Sequence, residues 1–233
     1  MRHFGKSGAV KEIRRNRMLK LNLVWEKKSP KILCLGAHSD DIEIGCGGTI
    51  LKLLTEAPEA QFYWIVFSAE GNRAKEARES FASFLPKTKS KTIDVQDFRD
   101  SYFPFTGAEI KDYFEKIKSN FTPDIIFTHY GKDAHQDHRL ISNLTWNTYR
   151  NHLILEYEIP KYDGDLVTPN LYFHIDASEV DKKIDLICNS FKTQKENFWF
   201  SEDNFRSIMR IRGIESNSPS KYAEAFHCRK IVL

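Results

Sequence analysis

The stretch KILCLGAHSDDIEIGCGGT, residues 31–49, decides how this chain is read. Its opening run, residues 31–37, is apolar without polar alternation, the mark of a strand buried on both faces of a sheet. The glycines Gly45, Gly47 and Gly48 then read as a tight turn that starts a helix, with helical spacing over residues 48–55. Between the two stand His38, Ser39, Asp40 and Asp41. Open α/β sheets gather their ligands just beyond the carboxyl ends of strands, and this polar, metal-competent group falls at such an end.

Working outward, the pattern keeps alternating. Residues 62–68 (FYWIVFS) read as a second buried strand, followed by a charged helix over 73–85 and a third strand over 91–95. Residues 110–118 are helical, and Pro123 precedes a strong strand over 124–129 (DIIFTH), with a helix over 136–149 after it. Residues 153–175 read as two further strands around a Tyr/Asp/Gly loop. A helix over 178–191 and a polar, basic C-terminal stretch complete the chain. Strand–helix alternation of this kind predicts an α/β fold: a Rossmann-like, mainly parallel sheet with helices on both faces, in a single domain. No linker, repeat or low-complexity segment divides it, so the chain is read as a basic arm over 1–30 and one α/β domain over 31–233.

The 233 residues are 41% apolar and include 17 Phe, 9 Tyr and 4 Trp, enough for a large core, which excludes disordered, collagen-like and coiled-coil classes. No apolar run approaches the ~20 residues of a membrane-spanning helix. Net charge is +3, but residues 1–28 alone carry nine basic side chains against Glu12 and Glu26, leaving the remainder acidic. A basic arm can meet nucleic acid, an anionic surface or an acidic partner, or simply pack, solvated, on its own domain; the second is the expectation, and no nucleic-acid partner is expected. No apolar segment of a secretory signal follows the basic residues. Cys34, Cys46, Cys188 and Cys228 are too scattered for a disulfide framework or a cysteine-based zinc knot, and a reducing cytoplasmic location is expected. The oligomeric state is open, a homo-oligomer included.

A second polar cluster, Asp133-Ala-His135-Gln-Asp137-His138, follows the strand over 124–129. Singly, each cluster has an ordinary explanation, since paired aspartates cap helices and histidines populate surface loops. Together, two His/Asp clusters behind two central strands are hard to explain by packing, because unpaired carboxylates beside a core are costly to desolvate. Two imidazoles and one carboxylate suit a catalytic zinc with one open position, where water's pKa falls from 15.7 to roughly 7. Asp40 and His135 are then left over for acid–base and oxyanion roles.

The segment AHSDDIEIGCGGT resembles the A-H-P-D-D-x-x-x-G-x-G-G-T signature of the LmbE-like (PIG-L) deacetylases, zinc enzymes that remove N-acetyl groups from amino sugars, and DAHQDH resembles that family's H-x-D-H element. Partial matches follow in SAEGN (residues 68–72), in a helix with Arg78 and Glu79, and in YAEAF (residues 222–226). The resemblance implies His38, Asp41 and His138 as ligands of Zn2+, with Fe2+ or another divalent metal open to the same donors. It implies Asp40 as general base, His135 as oxyanion donor or proton donor to the leaving amine, and Asp137 as the residue that orients a neighbouring histidine. The substrate would be a small N-acetylated sugar or sugar conjugate. Ser39 replaces the usual proline, and Arg73 is the arginine assigned to substrate contact.

Other readings compete. Gly45-Cys46-Gly47-Gly48 after a strand superficially resembles a phosphate-cradling turn of a Rossmann-type nucleotide-binding protein, although the G-x-G-x-x-G spacing is absent and Glu70 alone could bind a ribose. A non-catalytic sugar-binding member of the same fold would need neither base nor acid. His129 reads as a core histidine or a neighbour of the site, Asp133 as a hydrogen-bond partner of a ligand histidine or a turn former. Glu224 and His227 read as packing residues within reach of the pocket, and the loop over 157–170, with Tyr157 and Tyr162, as the seat of substrate choice.

Overall fold

The computed structural model describes residues 29–232; of the basic arm read over 1–30, only Ser29 and Pro30 fall among them. Seven strands form one sheet: β1 (Lys31–Gly36), β2 (Gln61–Val66), β3 (Lys91–Val95), β4 (Ile125–His129), β5 (Leu153–Tyr157), β6 (Leu171–His174) and β7 (Ala223–His227). Their order is β3-β2-β1-β4-β5-β7-β6. The first five run parallel, and β7 lies antiparallel to both β5 and β6. The helices are α1 (Asp41–Glu56), α2 (Gly71–Phe84), α3 (Gly107–Asn120), α4 (Gln136–Thr148), α5 (Ala177–Ser190) and α6 (Glu202–Glu215).

The strand period of two sorts the core. Ile32 and Cys34 of β1 face Ile42, Ile50, Phe84, Ile184 and Met209 from α1, α2, α5 and α6. Leu33 and Leu35 face the opposite layer, with Ile110 and Phe114 of α3 and Ile141 of α4. Both faces of the central strands are thus covered, as an unbroken apolar sequence requires. The chain winds outward from β1 in both directions, so β1 and β4 are neighbours, with Ile32 opposite Ile125 and Cys34 opposite Phe127. This pairing is the topological switch point where such sheets open a crevice. It brings together two segments about a hundred residues apart.

Two expectations need correction. The glycines do not form a turn: α1 starts at Asp41 and runs straight through Gly45, Gly47 and Gly48, all of them buried. What they supply is room, since a β-carbon on Gly45 would stand 2.2 Å from the Tyr157 ring and one on Gly47 2.9 Å from Phe84. The glycine run therefore cannot cradle a phosphate, which removes the feature that favoured a nucleotide-binding protein. The C-terminal stretch, read only as polar and basic, contains α6 and β7. In α6 the buried stripe is narrow (Phe205, Met209, Arg212 and Gly213), and β7 carries the buried Glu224 mid-strand, so neither shows an apolar pattern.

Glu224 is explained by α1. It accepts the N–H groups of Gly48 (2.8 Å) and Thr49 (2.6 Å), while Lys183 Nζ donates to Ile44 O (2.7 Å) and to Glu224 (2.6 Å). The remaining donors and acceptors of this buried ion pair are met by helix backbone, which is what a buried charge needs. None of the described helices is long and apolar enough to cross a membrane.

Candidate active site

The end of β1 is fixed by short hydrogen bonds. Asp41 Oδ2 accepts the His38 N–H at 2.6 Å, and Asp40 sits at the N-cap of α1, its carbonyl taking the N–H of Ile44. The Ala37 N–H donates to His129 Nε2 at 2.9 Å, which ties the end of β1 to that of β4. His129 Nε2 is also 3.2 Å from Asp41 Oδ2. Tyr157, at the end of β5, donates to Leu35 O at 2.6 Å with its hydroxyl 3.3 Å from His129.

The second segment is organised by Asp133. Its Oδ1 accepts the His135 N–H at 2.8 Å, and its Oδ2 lies 3.0 Å from His138 Nδ1. A carboxylate at Nδ1 places the proton there and leaves His138 Nε2 as a lone-pair donor. That Nε2 is 3.2 Å from His38 Nδ1 and 3.6 Å from Asp41 Oδ1, and His38 Nδ1 is 3.4 Å from Asp41 Oδ2. Tetrahedral ligands at ~2.1 Å from a shared ion lie ~3.4 Å from one another. The donor set of His38, Asp41 and His138 therefore fits one tetrahedrally bound divalent cation. A second acidic trio, Asp133, Asp163 and Asp165, has a cation of its own, with Lys161 Nζ at 3.0, 3.6 and 2.8 Å from its members.

Electrostatics divide the two neighbouring aspartates. Burial, then the adjacent Asp41 charge, pushes Asp40 up to about 6, and its Oδ2 is a buried oxygen without a hydrogen-bond partner. Burial opposes the charge of Asp41 as well, but the His138 and His129 rings outweigh it and hold that carboxyl well below its usual range. Burial, with His129 beside it, lowers His138 to about 4, favouring the neutral ligand form. Burial and the charge of His38 lower His135.

His135, Asp137 and Arg73 lie in or beside this crevice with the residues above, whereas Glu224 and His227 are engaged elsewhere. The half-buried His135 caps α4, its ring centroid 5.0 Å from that of His38 and 4.6 Å from that of His138. Asp137 accepts the backbone N–H groups of Ser101 (2.7 Å) and Phe103 (3.2 Å) and stands 3.5 Å from His38 Nε2. It thus pins the segment after β3 against the site, while the partner of the His138 ring is Asp133. Arg73 reaches over from α2, its Nη1 3.0 Å from Asp100 Oδ2 and its Nε 3.4 Å from Ser39 Oγ, the hydroxyl standing where the family signature has proline. Glu224 is engaged with α1 and Lys183, and the His227 ring stacks on Tyr130 at 3.9 Å. Sequence reasoning passed over Asp100, whose Oδ1 is 3.2 Å from His38 Nε2, and Lys161. Asp100 follows β3, and the strand-end rule that found the first two clusters would have found it; nothing local marks Lys161.

The GlcNAc-PI de-N-acetylase (PIG-L) family model matches residues 33–149, from β1 past the end of α4. The chain belongs to this family. Solved structures with the same fold include N,N'-diacetylchitobiose deacetylase from Pyrococcus horikoshii, bound to an inhibitor (22% identity, 86% of this chain and 84% of that one, TM-score 0.65). Another is the zinc-inhibited form of a teicoplanin deacetylase (12% identity, 85% and 97% coverage, TM-score 0.64). A third is 4-carboxy-2-hydroxymuconate hydratase from Pseudomonas putida (16% identity, 88% and 98% coverage, TM-score 0.66). With a hydratase among them, the shared fold does not choose the reaction; the side chains at the strand ends must.

Proposed function

We propose that this protein is a metal-dependent amide hydrolase that removes the N-acetyl group of an amino sugar, free, nucleotide-linked or carried on a glycoconjugate. The observation that carries this reading is the convergence of the His38, Asp41 and His138 donors at 3.2–3.6 Å, with the unpartnered Asp40 oxygen next to them. Membership of the family and two deacetylases among the solved relatives support it. Zinc or ferrous iron held by these three residues would polarise the amide carbonyl and acidify water.

The chain's own groups supply the rest. Asp40, raised towards neutrality, takes a proton from the attacking water at its free Oδ2, where a base of that strength is most effective. His135 donates to the oxygen that becomes negative, or to the departing nitrogen. Asp133 keeps the His138 Nε2 free for the metal, and Asp137 holds the segment that carries Asp100. Arg73 and Asp100, paired at the rim, present a donor and an acceptor suited to sugar hydroxyls. The four cysteines are free thiols, which supports a cytoplasmic place of action.

The test is acetate release from a panel of N-acetylated sugars and sugar conjugates by the full chain, metal-loaded and chelator-treated, beside Asp40→Asn. Release that needs metal and Asp40 is expected. A metal-loaded chain that hydrates a carbon–carbon double bond and leaves every amide intact would refute the reading.

A further inference from the structure

The loop between β5 and β6 lies outside the segment that matches the family, yet it is bound to the site by buried charges. At its base, Arg212 grips Glu158 with two hydrogen bonds of 2.7 Å and donates to Val167 O at 2.9 Å. Nearer the site, Asp165 Oδ2 accepts the Ala134 N–H at 2.7 Å. Between them is Lys161. Its side chain is only 10% exposed, and its ammonium reaches Asp165 at 2.8 Å and Asp133 Oδ1 at 3.0 Å. Asp133 is the carboxylate that holds His138 Nδ1 and the His135 N–H.

We propose that Lys161 is a positioning residue for the metal-ligating histidine, so that the loop over 158–170 controls metal affinity as well as forming a wall of the site. The inference rests on the proposed metal reading. The ammonium is ringed by Asp165, Asp133 and Asp163 at 2.8, 3.0 and 3.6 Å, and Asp133 is the one of the three that contacts the proposed ligand His138. Its effect must pass through Asp133. Without it, Asp133, Asp163 and Asp165 stand together with their shared cation gone, and Asp133 relieves the repulsion by turning away. That removes the acceptor that orients the His138 ring and keeps its Nδ1 engaged, so Nε2 is no longer held as the lone pair that would bind metal. A loop that the family signature does not cover would thereby set how firmly the signature residues hold their ion.

The experiment uses the full chain and three variants: Lys161→Met, which keeps the stem and removes the charge, Lys161→Arg, which keeps the charge, and Asp165→Asn, which loosens the clamp from the loop side. Zinc affinity is measured by competition with a chromophoric chelator, and the His138 tautomer in the zinc-free protein from its ring 15N shifts. Lys161→Met is expected to weaken zinc binding by about 10-fold or more, in the range seen when a partner of a metal ligand is removed. It should also move His138 away from the Nδ1-protonated form, Lys161→Arg should recover most of both, and Asp165→Asn should show a smaller loss. If Lys161→Met does not fold, Asp165→Asn carries the test. Zinc binding and His138 shifts unchanged from wild type in the variants that fold would overturn the inference and leave the metal reading intact. A wild-type chain that holds no zinc overturns both.

Discussion

Gly45→Ala separates a glycine that packs from a glycine that turns. The new β-carbon would stand 2.2, 2.5 and 2.8 Å from Cδ2, Cγ and Cε2 of Tyr157, far inside van der Waals contact. Tyr157 cannot retreat freely, because it is fully buried and its hydroxyl is bonded to Leu35 O at 2.6 Å. Overpacking of this kind costs about 1–3 kcal/mol. Losing the hydroxyl bond adds roughly 0.5–1.5 kcal/mol, and alanine's better helix propensity returns about 0.5–1 kcal/mol. The net is a destabilisation of about 2 kcal/mol, or a Tm lower by about 4–8 °C for a chain of this size. Gly107→Ala is the control: its nearest neighbours are Leu140 methyls at 3.8 Å and beyond, so it should be neutral or slightly stabilising. Thermal unfolding followed by circular dichroism decides. A Gly45→Ala protein at least as stable as wild type would refute the packing argument, whereas a glycine needed for a turn would have a positive φ, and Gly45 has none.

Other outcomes follow from the same geometry. His135→Ala should keep its metal and lose ~10²–10³ in turnover, as loss of an oxyanion donor does; normal turnover at normal metal content would remove His135 from its role. Lys183→Met leaves Glu224 buried and unpaired and should cost about 3–5 kcal/mol in a urea titration, with Lys183→Met/Glu224→Gln costing less than its two parts together. Burial, with Arg212 and Lys132 nearby, lowers His227 from 6.5 to about 4, so the unfolded chain takes up its proton first. Its contribution to stability should therefore fall as pH drops from about 6.5 to about 4, and His227→Phe should flatten that part of a Tm-against-pH curve.

The strands and the histidines were legible for different reasons. An apolar run such as residues 31–36 can hardly be anything but a strand covered on both sides, and the strand-end rule then pointed to His38, Asp40, Asp41, His135 and His138 without coordinates. The helix start was misread because glycine carries two meanings in a sequence, freedom to turn and absence of bulk. Only the Tyr157 and Phe84 rings show which applies in α1. Helix α6 and strand β7 were missed because their buried positions include Arg212 and Glu224, whose charges are satisfied by partners far along the chain.

The alternating architecture, the family and the metal-competent residue types depend on local period and residue chemistry, and so can be read along the chain. Who holds whom emerges only once the chain is folded: Asp133 on His138, Asp137 on the segment after β3, His129 and Tyr157 fastening the strand ends, and Lys161 clamping the loop. Hydrogen bonds and ion pairs act over about 3 Å in space. Pairs such as Lys183 and Glu224 are brought within that range by the β5-β7-β6 edge and the packing of α5, through contacts between segments that carry no mark of one another.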